Sequence, residues 1–175
     1  MTSLALPELF HVGWVVRDCQ AAQEELGTRL GAGPFLSAGE TSRFEHAIVH
    51  GKPAPFSLKI AFGALGGVLL ELLEPLDDRS PHAEFLAARG EGLHHLAFLV
   101  DDFDEKVAAA TQASPPMDLL VDGTGPGNQV RWVYLDGGSE PARGTVIELL
   151  ERSELSLSAF APFLELIGRS RPVPG

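Results

Sequence analysis

The sequence has a single cysteine, Cys19, which excludes an intramolecular disulfide and any cysteine-rich zinc finger. That scarcity suits a reducing compartment, and the cytoplasm is the expected location. Basic residues are also few, 13 against 24 acidic ones, for a formal net charge of −11. A polyanion would meet net repulsion, so nucleic acid is not an expected partner. A small anionic substrate is not excluded, because a few cations in a cleft act locally. No apolar run approaches the length needed to cross a bilayer, and Met1 to Phe10 carry no basic stretch followed by such a run. The expectation is a soluble, unprocessed protein with no membrane partner.

What is present is enough for one domain, since 175 residues at 45% hydrophobic content can bury a core without staples. The chain also says one phrase twice. Phe10-His11-Val12-Gly13-Trp14-Val15-Val16 is echoed by His94-His95-Leu96-Ala97-Phe98-Leu99-Val100. A second echo follows each, Val68-Leu69-Leu70-Glu71-Leu72-Leu73-Glu74 and Thr145-Val146-Ile147-Glu148-Leu149-Leu150-Glu151. Long-spaced similarity of this kind records a duplicated structural unit.

The first unit reads as a strand over Phe10 to Val16, a helix capped by Asp18 and stopped by Gly31 and Gly33-Pro34, and a strand over Ala47 to His50. Gly51 to Pro55 reads as a loop. Strands over Leu58 to Phe62 and Val68 to Leu73 follow, reversing through Gly63 to Gly67. Ser80-Pro81 caps a short linker helix over 80–89 that Gly90 ends. The second unit repeats the order, with a strand from His94 to Val100 and a helix to about Ala113 behind an Asp102/Glu105 capping box. Strands are expected at Asp118 to Val121, Gln129 to Leu135 and Thr145 to Leu150. The fold class is therefore α+β, a single domain over 8–151 made of βαβββ modules at 8–76 and 92–151. Residues 152–175 add a C-terminal helix, Leu155 to Ile167 interrupted at Pro162, and a loose tail from Arg169. That helix has an apolar side fit to cover the core edge, a twin subunit or the mouth of a pocket.

Alternation along a strand puts His11 on one face with Gly13 and Val15, and His95 with Ala97 and Leu99. The small residue after each histidine leaves space for a pocket floor. Glu71 interrupts a row of aliphatic side chains between Leu69 and Leu73, and Glu148 does so between Val146 and Leu150. A buried carboxylate must be protonated, paired or bound to a cation, because leaving it charged and alone costs several kcal/mol or more. Taken singly, each histidine reads as a hydrogen-bonded core residue and each glutamate as solvent-facing. As matched pairs in a repeat, the four point to a shared divalent cation. His94 aligns with Phe10, is expected on the opposite face from His95, and takes a structural role. Glu74 and Glu151 read as solvent-facing strand ends.

With these residues in place, the chain resembles the vicinal oxygen chelate superfamily, which includes glyoxalase I, methylmalonyl-CoA epimerase, extradiol dioxygenases and antibiotic-sequestering proteins. Its most specific stretch runs from Glu71-Leu72-Leu73-Glu74-Pro75-Leu76 through Ser80-Pro81 to Gly90-Glu91-Gly92-Leu93-His94-His95-Leu96-Ala97-Phe98 and looks like methylmalonyl-CoA epimerase. The pattern departs at Leu135-Asp136-Gly137-Gly138, where those epimerases carry a His-Pro-Lys stretch. The resemblance implies a curved, partly open barrel-like sheet around a metal held by His11, Glu71, His95 and Glu148, in a homodimer.

Two imidazoles and two carboxylates suit zinc, nickel, cobalt, iron or manganese, with room for two substrate oxygens. The expected activity is an isomerase, epimerase or lyase acting on a small carbonyl or acyl thioester through an enolate, with Glu148 as the first choice of base and Glu71 facing it. Glu45, His46 and His50 read as surface residues. The alternative is a protein that sequesters an antibiotic or similar ligand without chemistry. An extradiol dioxygenase fits less well, since Glu71 would occupy a position that oxygen activation leaves open.

Overall fold

In the computed structural model, residues 4–128, 130–138 and 142–168 are described, so the tail from Arg169 and the expected strand start at Gln129 lie outside them. The first half runs β1 (Leu9–Val15), α1 (Cys19–Leu30), β2 (Phe35–Ser37), β3 (Ser42–Phe44), β4 (Ile48–Val49), β5 (Lys52–Pro53), β6 (Phe56–Leu65) and β7 (Val68–Pro75). After α2 (Pro81–Arg89) come β8 (Gly92–Val100), α3 (Phe103–Thr111), β9 (Leu119–Thr124), β10 (Arg131–Asp136), β11 (Val146–Glu151) and α4 (Glu154–Leu164).

All of the strands join one open mixed sheet in the order β2-β6-β7-β1-β8-β11-β10-β9-β4-β5, with β3 also on β6. The two halves mirror each other across the central antiparallel pair β1/β8. β1 runs parallel to β7, and β8 parallel to β11. β4 crosses from the first half to pair with β9 at the far edge. The structure is thus the expected α+β arrangement, with a sheet that does not close. The short strands β2, β3 and β5 were not foreseen; the last falls within the expected loop. They exist through pairing with β6 and β4 and carry no hydrophobic rhythm of their own.

Caps explain where the helices begin. Ala21 N–H donates to the Asp18 carboxylate at 2.9 Å, and Gly31 closes α1 at φ 66°. Ser80 accepts from Ala83 N–H, with Pro81 at the first helical position. The Asp102/Glu105 capping box does not form. At φ −95° and ψ 61°, Asp102 lacks the extended backbone that aims a capping side chain back at the helix, and α3 stops at Thr111. The reciprocal box sits instead at Ser153 and Ser156, opening α4, which passes through Pro162 without ending.

Alternation separates two layers. Leu70 and Leu72 face α1, and Leu149 faces α3. Leu69, Leu73, Val146 and Leu150 point the other way, into an inner cluster with Phe10, Phe56 and Trp132. Glu71 and Glu148 fall on that inner face, and α4 packs over it through Leu157, Phe160, Phe163 and Leu164. Among the described residues no helix is long and apolar enough to cross a membrane.

Candidate metal centre

The central strands carry one irregularity each, at equivalent places. Leu9 pairs with Phe98 and His11 with Ala97, which leaves Phe10 as an extra residue. Trp14 pairs with Leu93 and Gly13 with His95, which leaves His94 as the extra residue. Such β-bulges break the strict alternation of side chains and re-aim them. His94 therefore does not lie across the sheet from His95, as alternation alone predicts, but beside it, Nδ1 to Nδ1 at 3.0 Å. Phe10 stands beside His11 in the same way, with ring centroids 5.5 Å apart.

The bulges bring the four repeated residues to one point. His11 Nε2 lies 3.3 Å from His95 Nε2, 3.2 Å from Glu71 Oε2 and 3.1 Å from Glu148 Oε2. His95 Nε2 lies 3.3 Å from each of the same two carboxylate oxygens. All four residues are buried, His11 and His95 at 1% exposure and the glutamates at 8% and 6%. One imidazole N–H cannot serve three neighbours, and Glu148 Oε2, though surrounded, makes no hydrogen bond. It stands 3.1 and 3.3 Å from the two imidazole Nε2 atoms. Donors bonded to one ion at about 2.0–2.2 Å stand roughly 3.0 Å apart in an octahedron and roughly 3.4 Å apart in a tetrahedron. The observed edges fall between, so the four residues could hold a divalent metal.

Gly13 has an unexpected task. A Cβ there would sit 2.0 Å from His95 Cε1, so the space beyond Gly13 is filled by the imidazole of the neighbouring strand and is not open floor for a substrate.

Burial alone would pull the His11 pKa down, but the Glu71 and Glu148 carboxylates push it from 6.5 up to about 9. His95 is raised for the same reason, chiefly by Glu148. Burial opposes the Glu148 charge, but the two imidazoles outweigh it and draw its carboxyl from 4.5 down to about 2. The signs set the behaviour of the metal-free chain. Stability from His11 is fully present below pH 6.5 and is lost as pH rises through about 9, while that from Glu148 is present above pH 4.5 and lost as pH falls through about 2. A metal must displace the imidazole protons. Its affinity is therefore expected to rise at least about tenfold per pH unit from pH 6.5 to 8 in competitive titrations; a flat profile would contradict protonated imidazoles in the metal-free site.

Behind His95 lies a second cluster. His82, at the start of α2, contacts Tyr134 Oη through Nε2 at 2.9 Å, and both stand beside His94 with centroids 5.0 and 5.3 Å away. Burial, then the charges of His95 and Arg89, holds His94 down at about pKa 2. A neutral His94 is a fitting acceptor for a proton on His95 Nδ1, the arrangement that turns a ligating Nε2 toward its metal. Burial also keeps His82 and Tyr134 neutral.

His82 and Tyr134 of this cluster, together with His11, Glu71 and Glu148, line a cavity of about 310 Å³ that His94 and His95 do not reach. His11, Glu71, Glu148, Ser42, His82 and Tyr134 supply its polar lining. The walls are apolar, including Ile60, Phe62 and Trp132, and α4 covers them with Phe160 and Phe163. The C-terminal helix thus packs on the inner core cluster and lines the pocket. Glu45, His46 and His50 are exposed, away from this cavity. Glu74 is only partly exposed and accepts from Cys19 N–H at the start of α1. Tyr134 and His82 were not foreseen. The signal for the tyrosine was present: Tyr134 pairs across the sheet with Glu148 as Phe62 does with Glu71.

An open sheet mirrored about two bulged histidine strands, with a carboxylate from the partner strand of each, defines a glyoxalase-type domain. The chain belongs to the Glyoxalase/Bleomycin resistance protein/Dioxygenase superfamily, which residues 10–118 match. Methylmalonyl-CoA epimerase from Mycobacterium tuberculosis superposes with a TM-score of 0.59 at 28% identity, over 91% of this chain and 95% of that one. A hypothetical protein from Bacillus halodurans C-125 gives 0.58 at 25% identity, over 84% and 95%. A 52-residue segment is 46% identical to the uncharacterized protein YqjC of Bacillus subtilis (strain 168), covering 30% of this chain but only 37% of that relative.

Proposed function

We propose that the protein is a metal-dependent isomerase, epimerase or lyase that moves a proton next to a substrate carbonyl, with His11, Glu71, His95 and Glu148 as metal ligands. The carrying observation is the convergence of two imidazoles and two carboxylates at one end of a cavity that both glutamates line. Structural likeness to methylmalonyl-CoA epimerases supports the same class. A divalent cation such as zinc, nickel, cobalt, iron or manganese would supply positive charge to offset the negative charge that builds on the substrate oxygen as the carbon loses its proton.

The rest falls to the chain. Glu148 takes the proton and Glu71, arriving from the other half, stands where a proton can be returned. His82 and Tyr134 hold two protons between them, one N–H and one O–H, and their mutual hydrogen bond uses one. Whichever direction that bond runs, one proton is left over, on His82 Nδ1, which has no partner, or on Tyr134 Oη. The apolar walls, with Phe160 and Phe163 of α4 among them, reduce the water that competes for these groups.

The test is hydrogen exchange in deuterium oxide, read by NMR over a panel of small carbonyl compounds with metal-loaded protein. Exchange of the proton beside the carbonyl is expected, and Glu148→Gln is expected to slow it by about 10²–10⁴-fold. If ligands bind to the loaded protein but no compound exchanges, the sequestering alternative, which the largely apolar cavity wall also suits, takes its place.

A further inference from the structure

The two halves of the site resemble each other in backbone and differ in one side chain. On each central strand the repeated histidine directly follows the extra residue of a bulge, Phe10 before His11 and His94 before His95. Both extra residues are buried beside the histidine they precede. Their chemistry is not the same. His94 brings its Nδ1 to 3.0 Å from His95 Nδ1, a hydrogen-bonding distance. Phe10 brings a phenyl ring, which has no lone pair, with its centroid 5.5 Å from that of His11. The rings of Phe62 and Phe160 also stand against His11, and among the described residues its Nδ1 has no hydrogen-bond partner.

Valence fixes where the protons go. An imidazole that gives its Nε2 lone pair to a cation carries its one N–H on Nδ1. Two nitrogens 3.0 Å apart have room for a single proton between them, so His95 donates it and His94 accepts. A hydrogen bond at this nitrogen fixes the tautomer and the ring angle and makes the ligating nitrogen a stronger donor to the metal. His11 would carry the same N–H with no acceptor for it. From this we infer that His94 is a positioning residue for His95, and that the duplicated site is unequal: the second half holds its imidazole firmly, while the first, with Phe10 in the equivalent place, does not. His95 is the anchoring ligand and His11 the one that yields. The inference rests on the metal reading of the site and adds to it a division of labour between the halves.

The experiment uses full-length protein, isotopically labelled at nitrogen and loaded with zinc, which keeps the NMR spectrum diamagnetic. Scalar coupling between two nitrogens passes through an N–H···N hydrogen bond and not through simple contact. Coupling is expected between the Nδ1 atoms of His95 and His94, with the proton bonded to His95, and none is expected at His11 Nδ1. No coupling between His95 and His94, a proton bonded to His94 Nδ1, or a coupling at His11 Nδ1 overturns the inference. Zinc affinity, read by competition with a chromogenic chelator, supplies the second arm. His94→Phe, which copies the first half, is expected to lower it about 10–100-fold, while His94→Gln, whose side-chain oxygen can still accept, stays within about threefold of wild type. In a His95→Ala background the same His94→Phe change should cost less than about threefold, because its effect passes through His95. Wild-type affinity in His94→Phe, equal losses in the Phe and Gln variants, or an undiminished loss in the His95→Ala background overturns the positioning role. If zinc leaves the Nε2 resonances of His11 and His95 unshifted, the metal reading beneath falls instead.

Discussion

Metal affinity of the His95→Ala protein is expected to fall on the order of 100-fold. Structural four-ligand zinc sites in small peptides bind with about 10–16 kcal/mol, and on that scale one ligand of four carries about 3 kcal/mol, or roughly two powers of ten. His95 stands 3.3 Å from each of the other three donor atoms, so its removal leaves one vertex empty without moving the rest. The metal-free protein should also lose stability, by about 3 kcal/mol, because Glu71 and Glu148 lose one of the two imidazoles that face their buried charge. Should that variant fail to fold, His95→Gln keeps a polar donor in nearly the same volume and should show the metal defect alone. Competitive titration with a chromogenic chelator reads the affinity. Unchanged binding in both variants would remove His95 from the site.

Gly13→Ala should do comparable damage with no ligand atom removed. The added methyl would meet His95 Cε1 at 2.0 Å and Nε2 at 2.2 Å, far inside contact distance. Gly13 sits in β1 at the middle of the sheet, bonded to strands on both sides, so its backbone cannot retreat. The imidazole must swing, and Nε2 leaves the point it shares with His11, Glu71 and Glu148. Overpacking of this kind costs about 1–3 kcal/mol in stability, and the lost vertex again costs on the order of 100-fold in metal affinity. Gly67→Ala is the control, since a methyl there meets nothing within 4 Å. Normal metal affinity in Gly13→Ala would mean that the ring has another stable position from which to bind.

Why this glycine escaped the sequence illustrates which features sequence makes legible. Rows of aliphatic residues broken by Glu71 and Glu148, and the histidines repeated at His11 and His95, placed four side chains on one face by alternation alone, and the structure brings them to one point. The caps at Asp18 and Ser80 and the stops at Gly31 and Gly90 were equally local, and they fall where the residue chemistry puts them. The bulges were not local. Which residue of Phe10-His11 or His94-His95 is extra depends on the register between β1 and β8, so neither the position of His94 beside His95 nor the ring filling the space over Gly13 can be read from one strand. Tyr134 was hidden differently. It is the counterpart of Phe62, each opposite its glutamate, but the longer connection before Glu148 puts the two out of step along the chain. β2 and β3 depend wholly on β6 for their bonds, and so leave no periodic trace.

The most direct test of a cation shared by the two halves is X-ray absorption at the metal edge, on protein loaded with one equivalent of cobalt or zinc, wild type beside His95→Gln. The expected spectrum shows one ion per chain with two imidazoles in its shell and oxygens completing it, falling to one imidazole in the variant. An ion with no imidazole scattering in the wild type, or a shell that the substitution leaves unchanged, would contradict the assignment of His11, Glu71, His95 and Glu148.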